Sequence, residues 1–154
     1  MKCHKNEIEI KNTKNAYIKD GVSLVRFLNW LETGIPTGTI TEMIASEKLL
    51  EFRKQQDLFI EDSFESISAY GANASMPHYK PSHENPVKVE PRGLYLIDSG
   101  GHYLDGTTDI TRTIAVGKLK EEEIYHYTLV LKAHINLMEA KFLEGTNGGY
   151  LDAF

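Results

Sequence analysis

Leu94-Tyr95-Leu96-Ile97-Asp98-Ser99-Gly100-Gly101-His102-Tyr103-Leu104-Asp105-Gly106-Thr107-Thr108-Asp109-Ile110-Thr111-Arg112-Thr113 joins two apolar runs through a polar, glycine-rich excursion. Leu94 to Ile97 is continuously apolar, the pattern of a buried strand. Ile110 to Val116 is rich in β-branched residues and predicts the next strand. Asp98 closes the first run and Asp109 opens the second, with residues 99–108 between them. A chain that leaves a sheet and returns antiparallel can bring those two ends within reach of one ion. A carboxylate directly after Ile97 is costly to desolvate without a cation or strong donors, and two side by side repel. A divalent metal resolves both problems. All-oxygen ligation favours hard cations such as manganese or magnesium, and a histidine in the set shifts the choice toward manganese, zinc or cobalt. The spacing alone also allows an ordinary hairpin in which Asp98 and Asp109 cap turns and Asp105-Gly106 forms the tight turn. A twelve-residue calcium loop is excluded, because the position that requires glycine is Tyr103.

Upstream, Asn6 with Glu9 reads as a variant capping box opening a helix. Its apolar face is predicted from Ile18, Val22, Val25, Phe27, Leu28 and Leu31, with Trp30 beside it, and Gly34 and Pro36 end it. A second helix is predicted from near Thr39, with Met43, Ile44, Leu49, Leu50 and Phe52 as its apolar side and the polar run Arg53 to Asp57 as its end. Residues 59–64 read as irregular. Ser66 to Tyr70 reads as a short strand, followed by a turn at Gly71-Ala72-Asn73. Pro77, Pro81, Pro86 and Pro91 punctuate a long connection with little that could form a core. A last helix is predicted from about Lys120 to Phe142, with Ile124, Tyr127, Leu131, Ile135 and Met138 on its packed face. Its first turn carries Glu121, Glu122 and Glu123, which suit the positive end of a helix. The order α-α-β-β-β-α predicts an α+β fold with helices covering a mainly antiparallel sheet.

The chain has 154 residues, 41% hydrophobic and 25% charged, with a formal net charge of −5. These are the proportions of a globular domain, and a domain of this size buries roughly 68–70% of its unfolded surface. The acidic balance argues against a nucleic-acid binder. No apolar run is long enough to span a membrane, and the N-terminus lacks an apolar signal segment. A cytoplasmic location is therefore expected. The single cysteine, Cys3, excludes an internal disulfide framework and a cysteine-rich zinc site.

The stretch Leu94 to Thr113 resembles the first metal-ligand segment of the pita-bread metallopeptidases, and within them the longer-chain Xaa-Pro aminopeptidases. The wording Asp98-Ser99-Gly100 followed by Tyr103-Leu104-Asp105-Gly106-Thr107-Thr108-Asp109-Ile110-Thr111-Arg112-Thr113 carries the resemblance. Asp20-Gly21-Val22 with Phe27 to Glu32 is similar to the family's first catalytic-domain helix, and Thr41-Glu42 with Phe52-Arg53 to its second. Gly71 to Ala74 followed by His78-Tyr79-Lys80-Pro81 is similar to its substrate-side loop. The resemblance covers essentially the whole chain and implies the first half of a pita-bread fold, so that residues 1–154 form a partial catalytic domain.

By that resemblance Asp98 would bind one metal of a dinuclear site, usually of manganese, and Asp109 would bridge both. His78 would contact the substrate or steady the reacting group. The implied activity is release of an N-terminal residue from peptides with proline second, by a protein that is a homodimer at full length. The family's remaining ligands, a histidine and two glutamates, have no counterpart before Phe154, so this chain alone is expected to be inactive. Two other readings stand beside it. A non-catalytic pita-bread module that binds peptides or proteins is disfavoured by the retained aspartates, and a prolidase-like dipeptidase by the Asp-Gly-Thr-Thr-Asp wording. Arg112 could anchor a carboxylate of the site or brace the sheet. His102 is expected near solvent, and His134 in packing on the last helix.

Overall fold

Asn6 starts the first helix, α1 (Glu7–Gly34), as the capping box predicts: its side chain accepts from Glu9 N at 2.9 Å and the Glu9 carboxylate accepts from Asn6 N at 2.8 Å. The buried stripe of this long helix is Ala16, Asp20, Ser23, Leu24, Phe27 and Leu31. Phe27 and Leu31 are where periodicity puts them. Ile18, Val22 and Val25 are not: they are 66%, 46% and 66% exposed. The helix carries two apolar stripes, and the one interrupted by Asp20 and Ser23 is the one that packs. A 3₁₀ turn, Ile35–Thr37, leads to α2 (Glu42–Arg53), whose N-cap is Thr41, accepting from Ile44 N at 3.2 Å. The helix thus begins after Thr41 rather than near Thr39, and its buried face is Glu42, Ala45, Leu49 and Arg53. Arg53, expected to trail off into solvent, is completely buried.

The computed structural model describes residues 3–152 and divides into two compact units, one ending at Lys118 and the other starting at Leu119. The strands all lie in the first unit. β1 (Phe59–Asp62) forms where irregular chain was expected, paired antiparallel with β4 (Gly101–Tyr103), which pairs with β5 (Gly106–Thr107). A second antiparallel sheet has the order β2 (Ile67–Tyr70), β3 (Leu94–Ser99), β6 (Ile110–Ala115). Three strands along the sequence therefore become six. The glycine-rich excursion is itself a small hairpin, β4–β5, that belongs to a different sheet from the strands it joins.

The core of this unit gathers α1, α2 and the inner face of β3 around Phe27, Leu31, Ile35, Ala45, Leu49, Tyr95 and Ile97. The proline-punctuated connection also contributes, contrary to expectation. Val89 is buried, and the chain around it pairs with residues 40–42 through Val89 N to Ile40 O and Glu42 N to Val87 O, both 3.0 Å. Two short segments outside the named strands satisfy their backbone groups against each other, which no side-chain pattern reveals.

The second unit contains α3 (Glu121–Glu139) and a 3₁₀ turn at Gly148–Tyr150. The helix ends three residues before Phe142, and Glu123 closes its first turn by accepting from Lys120 N at 2.7 Å. None of its residues is buried; Ile124, Leu131 and Met138 are 51%, 46% and 70% exposed. His134 is exposed too, rather than packed. Helical periodicity identifies an apolar stripe but not what covers it. No helix among the described residues is long and apolar enough to cross a membrane.

Candidate metal centre

Asp98 lies near the end of β3, and Asp109 directly precedes β6, the neighbouring strand of the β2–β3–β6 sheet. β3 pairs with β6 in the register Asp98 to Thr111 and Ser99 to Ile110. Side chains alternate along a strand, so Tyr95, Ile97 and Ser99 point into the core while Leu94, Leu96 and Asp98 share the other face. Asp109 lies two residues before Thr111, the partner of Asp98, and just outside β6. Thr111 Oγ1 donates to Asp98 Oδ1 at 2.8 Å, orienting one carboxylate oxygen. Asp98 is half-buried and Asp109 exposed, so both remain open to a ligand. Among the described residues no group of three His, Cys, Asp or Glu side chains forms a metal-holding cluster. The donor set is two carboxylates with a neighbouring hydroxyl, which fits hard divalent cations such as manganese or magnesium.

A buried ionic network lies behind the sheet at the end of β3. Ser99, the residue after Asp98, points inward and accepts from Arg53 Nη2 at 3.0 Å. Arg53 grips Asp20 through Nε at 2.7 Å and Nη2 at 3.2 Å, and both side chains are fully buried. Asp20 in turn accepts from Thr108 Oγ1 at 2.7 Å and from Tyr103 Oη at 3.1 Å. Thr108 is the residue before Asp109. Arg53 Nη1 also reaches Asp62 at 3.4 Å, although burial outweighs that guanidinium and raises the Asp62 carboxyl above its ordinary value. The turn between the sheets is equally close: Ser63 Oγ donates to Thr108 O at 3.0 Å, and Gly101 N donates to Thr108 Oγ1 at 2.9 Å. A Cβ on Gly100 would stand 2.0 Å from Thr108 O, so only glycine allows this crossing.

His78 lies on a different loop. It is exposed, with a left-handed φ of 58°, just after the 3₁₀ turn Gly71–Ser75. Its neighbour Tyr79 anchors that loop. Tyr79 Oη donates to Glu42 Oε2 at 2.6 Å, while Glu42 Oε1 accepts from Tyr70 N at 2.6 Å and Asn73 Nδ2 at 3.0 Å. Glu42 is thus a buried carboxylate held by neutral donors, as a buried charge requires. Asn73, read in the sequence as part of a turn and of the stretch similar to the substrate-side loop, is a structural member of this network. Of the remaining candidates, Arg112 pairs with Ile97 across β3–β6, and its guanidinium donates to the carbonyl of its own neighbour Thr111 at 2.7 Å. His102 meets Thr107 Oγ1 at 2.9 Å across the β4–β5 hairpin.

Three tyrosines record the burial of these networks. Loss of solvent and the Glu42 carboxylate push the Tyr79 hydroxyl up to about 12. Burial raises Tyr95, whose hydroxyl lies 2.6 Å from Ser68 Oγ, and burial with Asp20 raises Tyr103. Unfolded tyrosines ionise near 10, so the folded state binds more protons above that pH. The stability these hydroxyls contribute is intact below about pH 10 and is lost as pH rises from there toward the folded values. In a phenolate absorbance titration the folded chain is expected to keep these three tyrosines protonated at about pH 11. Ionisation of all eight tyrosines near the ordinary value in a still-folded chain would contradict the networks.

The sequence profile of Metallopeptidase family M24 matches residues 11–154. Aminopeptidase P2 of Arabidopsis thaliana is 44% identical over 154 residues, covering 99% of this chain and 22% of that protein. A probable Xaa-Pro aminopeptidase P of Trichophyton verrucosum is 42% identical over 155 residues, again covering 99% of this chain and 22% of the relative. Among solved structures, the X-prolyl aminopeptidase of Caenorhabditis elegans, described as a cytosolic enzyme with a di-nuclear active site, superposes with a TM-score of 0.87. It is 43% identical and aligns over 96% of this chain and 24% of its own. A prolidase from Thermococcus sibiricus gives 0.80 at 29% identity, over 97% of this chain and 38% of its own. The chain therefore spans about a fifth of the length of these curated relatives, and its architecture is that of the corresponding part of the pita-bread aminopeptidases and prolidases.

Proposed function

Because this chain belongs to metallopeptidase family M24, we propose that it is the part of an Xaa-Pro aminopeptidase that supplies two aspartate ligands and a substrate-side histidine. The observation that supports this most is the pairing of β3, which carries Asp98, with β6, which Asp109 directly precedes, and the orientation of Asp98 by Thr111. In this reading Asp98 and Asp109 hold two divalent ions, with manganese favoured by an all-carboxylate set that a histidine completes. Bound ions supply Lewis acidity and an activated water for peptide hydrolysis. The chain's own residues do the rest. Asp98 and Asp109 bring negative charge to the site, and Thr111 fixes one carboxylate. His78 contacts the substrate or the reacting group from a loop that Tyr79 ties to Glu42.

The substrates are peptides with proline in second position, and the active protein is a cytoplasmic homodimer. The reading favours the aminopeptidase over a prolidase-like dipeptidase because the 43% identity to the worm enzyme exceeds the 29% to the archaeal prolidase. Two carboxylates leave most of a dinuclear coordination shell unfilled, so the 154-residue chain alone is expected to release no N-terminal residue from such peptides. A chain extended to the length of its relatives is expected to do so with added manganese, and to leave dipeptides ending in proline intact. Cleavage of those dipeptides alone would make it a prolidase, and activity of the short chain would remove the need for further ligands.

A further inference from the structure

We infer that the buried Asp20–Arg53 pair is a positioning device for the two metal-facing aspartates, acting through Ser99 and Thr108. The inference rests on the reading of Asp98 and Asp109 as metal ligands and adds residues that the ligand pattern does not contain. Ser99 directly follows Asp98, and its inward side chain is bonded to Arg53 at 3.0 Å. Thr108 directly precedes Asp109, and its hydroxyl is bonded to Asp20 at 2.7 Å. Both mouths of the excursion are therefore fastened to one ionic unit, closed at 2.7 and 3.2 Å and shut off from solvent.

In a pleated strand, holding one side chain inward turns its neighbour outward. Fixing Ser99 inward in β3 thus sets the direction in which Asp98 leaves the backbone, and holding Thr108, between β5 and β6, limits where the adjoining Asp109 can go. The backbone bonds of β3 and β6 fix the strand spacing as far as Ser99 and Ile110. Beyond Ile110 the chain departs toward the β4–β5 hairpin, and Thr108 is held there by Asp20, Gly101 and Ser63. Without that hold Asp109 would sit on a free loop end. An ion pair that only stabilised the fold could be joined to the rest of the core at any point. This one is joined on both sides at the residue next to a candidate ligand.

The test separates the clamp from the pair. Ser99→Ala with Thr108→Val removes the two hydroxyl links while leaving Asp20 and Arg53 in place. Manganese is titrated into the chain, and the broadening of the Asp98 and Asp109 amide signals is followed, with circular dichroism as the check on folding. The manganese concentration that halves those signals is expected to rise about 10- to 100-fold in the double variant, the range seen when groups supporting metal ligands are removed. Thr108→Ser, which keeps the hydroxyl, is expected to stay near the wild-type value, while Thr108→Val alone loses part of the affinity. A double variant that folds and titrates like wild type overturns the inference. If the double variant does not fold, Thr108→Val is compared with Thr108→Ser, and equal affinities overturn it as well. Asp98→Asn runs alongside: if it broadens like wild type, the metal reading itself has failed and the clamp falls with it. Loss in Asp98→Asn together with no loss in the double variant defeats the clamp alone.

Discussion

Asp109→Asn is expected to abolish site-specific manganese binding while leaving the fold intact. The side chain is exposed and carries no hydrogen bond that the sheet depends on; its backbone carbonyl, which accepts from Tyr17 Oη at 3.4 Å, is unchanged by the substitution. Removing groups that merely support a ligand costs 10–100-fold in metal affinity, so removing a ligand is expected to cost at least about 100-fold. Asp98→Asn is expected to act in the same direction, with a small added loss of stability because Thr111 then donates to a neutral amide rather than to a carboxylate. Amide broadening by manganese measures both variants. Wild-type broadening in Asp109→Asn would place the ion elsewhere.

Arg53→Met is expected to give the largest loss of stability. It leaves Asp20 as an uncompensated buried charge and removes partners from Ser99 and Asp62 at the same time. Breaking a buried pair from one side costs about 3–5 kcal/mol, a large part of the roughly 5–15 kcal/mol that holds a domain together. For a chain of this length that is a fall in melting temperature of about 6–20 °C. Asp20→Leu combined with Arg53→Met is expected to recover part of the loss, because the charge of Asp20 is then no longer left buried without its partner. Recovery is incomplete, since the hydroxyls of Tyr103 and Thr108 and the Ser99 side chain lose their acceptor or donor. Thermal unfolding followed by circular dichroism checks this. An Arg53→Met melting point within about 2 °C of wild type would mean that the pair contributes little.

The strands that carry the aspartates were legible because their apolar runs are short, bounded and β-branched. The capping box of Asn6 and Glu9 is legible because it is local. Asp98 and Asp109 stood out because two carboxylates at the ends of buried strands need an explanation. The supporting network was visible only in part. Asp20 interrupts the stripe Ala16, Leu24, Phe27, Leu31, and Arg53 continues the stripe Glu42, Ala45, Leu49. A charge inside an apolar stripe on each of two helices is the signal of a buried pair. It was masked by a second apolar stripe on α1 and by the polar residues that follow Arg53. β1 and the buried Val89 could not be read at all, because their partners lie 39 or more residues away along the chain. Whether α3 is covered depends on surfaces that its own period does not describe.

Asp98 and Asp109 stand at the centre of the proposal as joint ligands of a manganese site whose full complement is two ions. Crystals soaked in manganese and measured at the manganese absorption edge test it directly. The account predicts an anomalous peak in contact with both carboxylates, lost in Asp109→Asn crystals. A clean map at that position, with the two side chains turned apart into solvent, would contradict it.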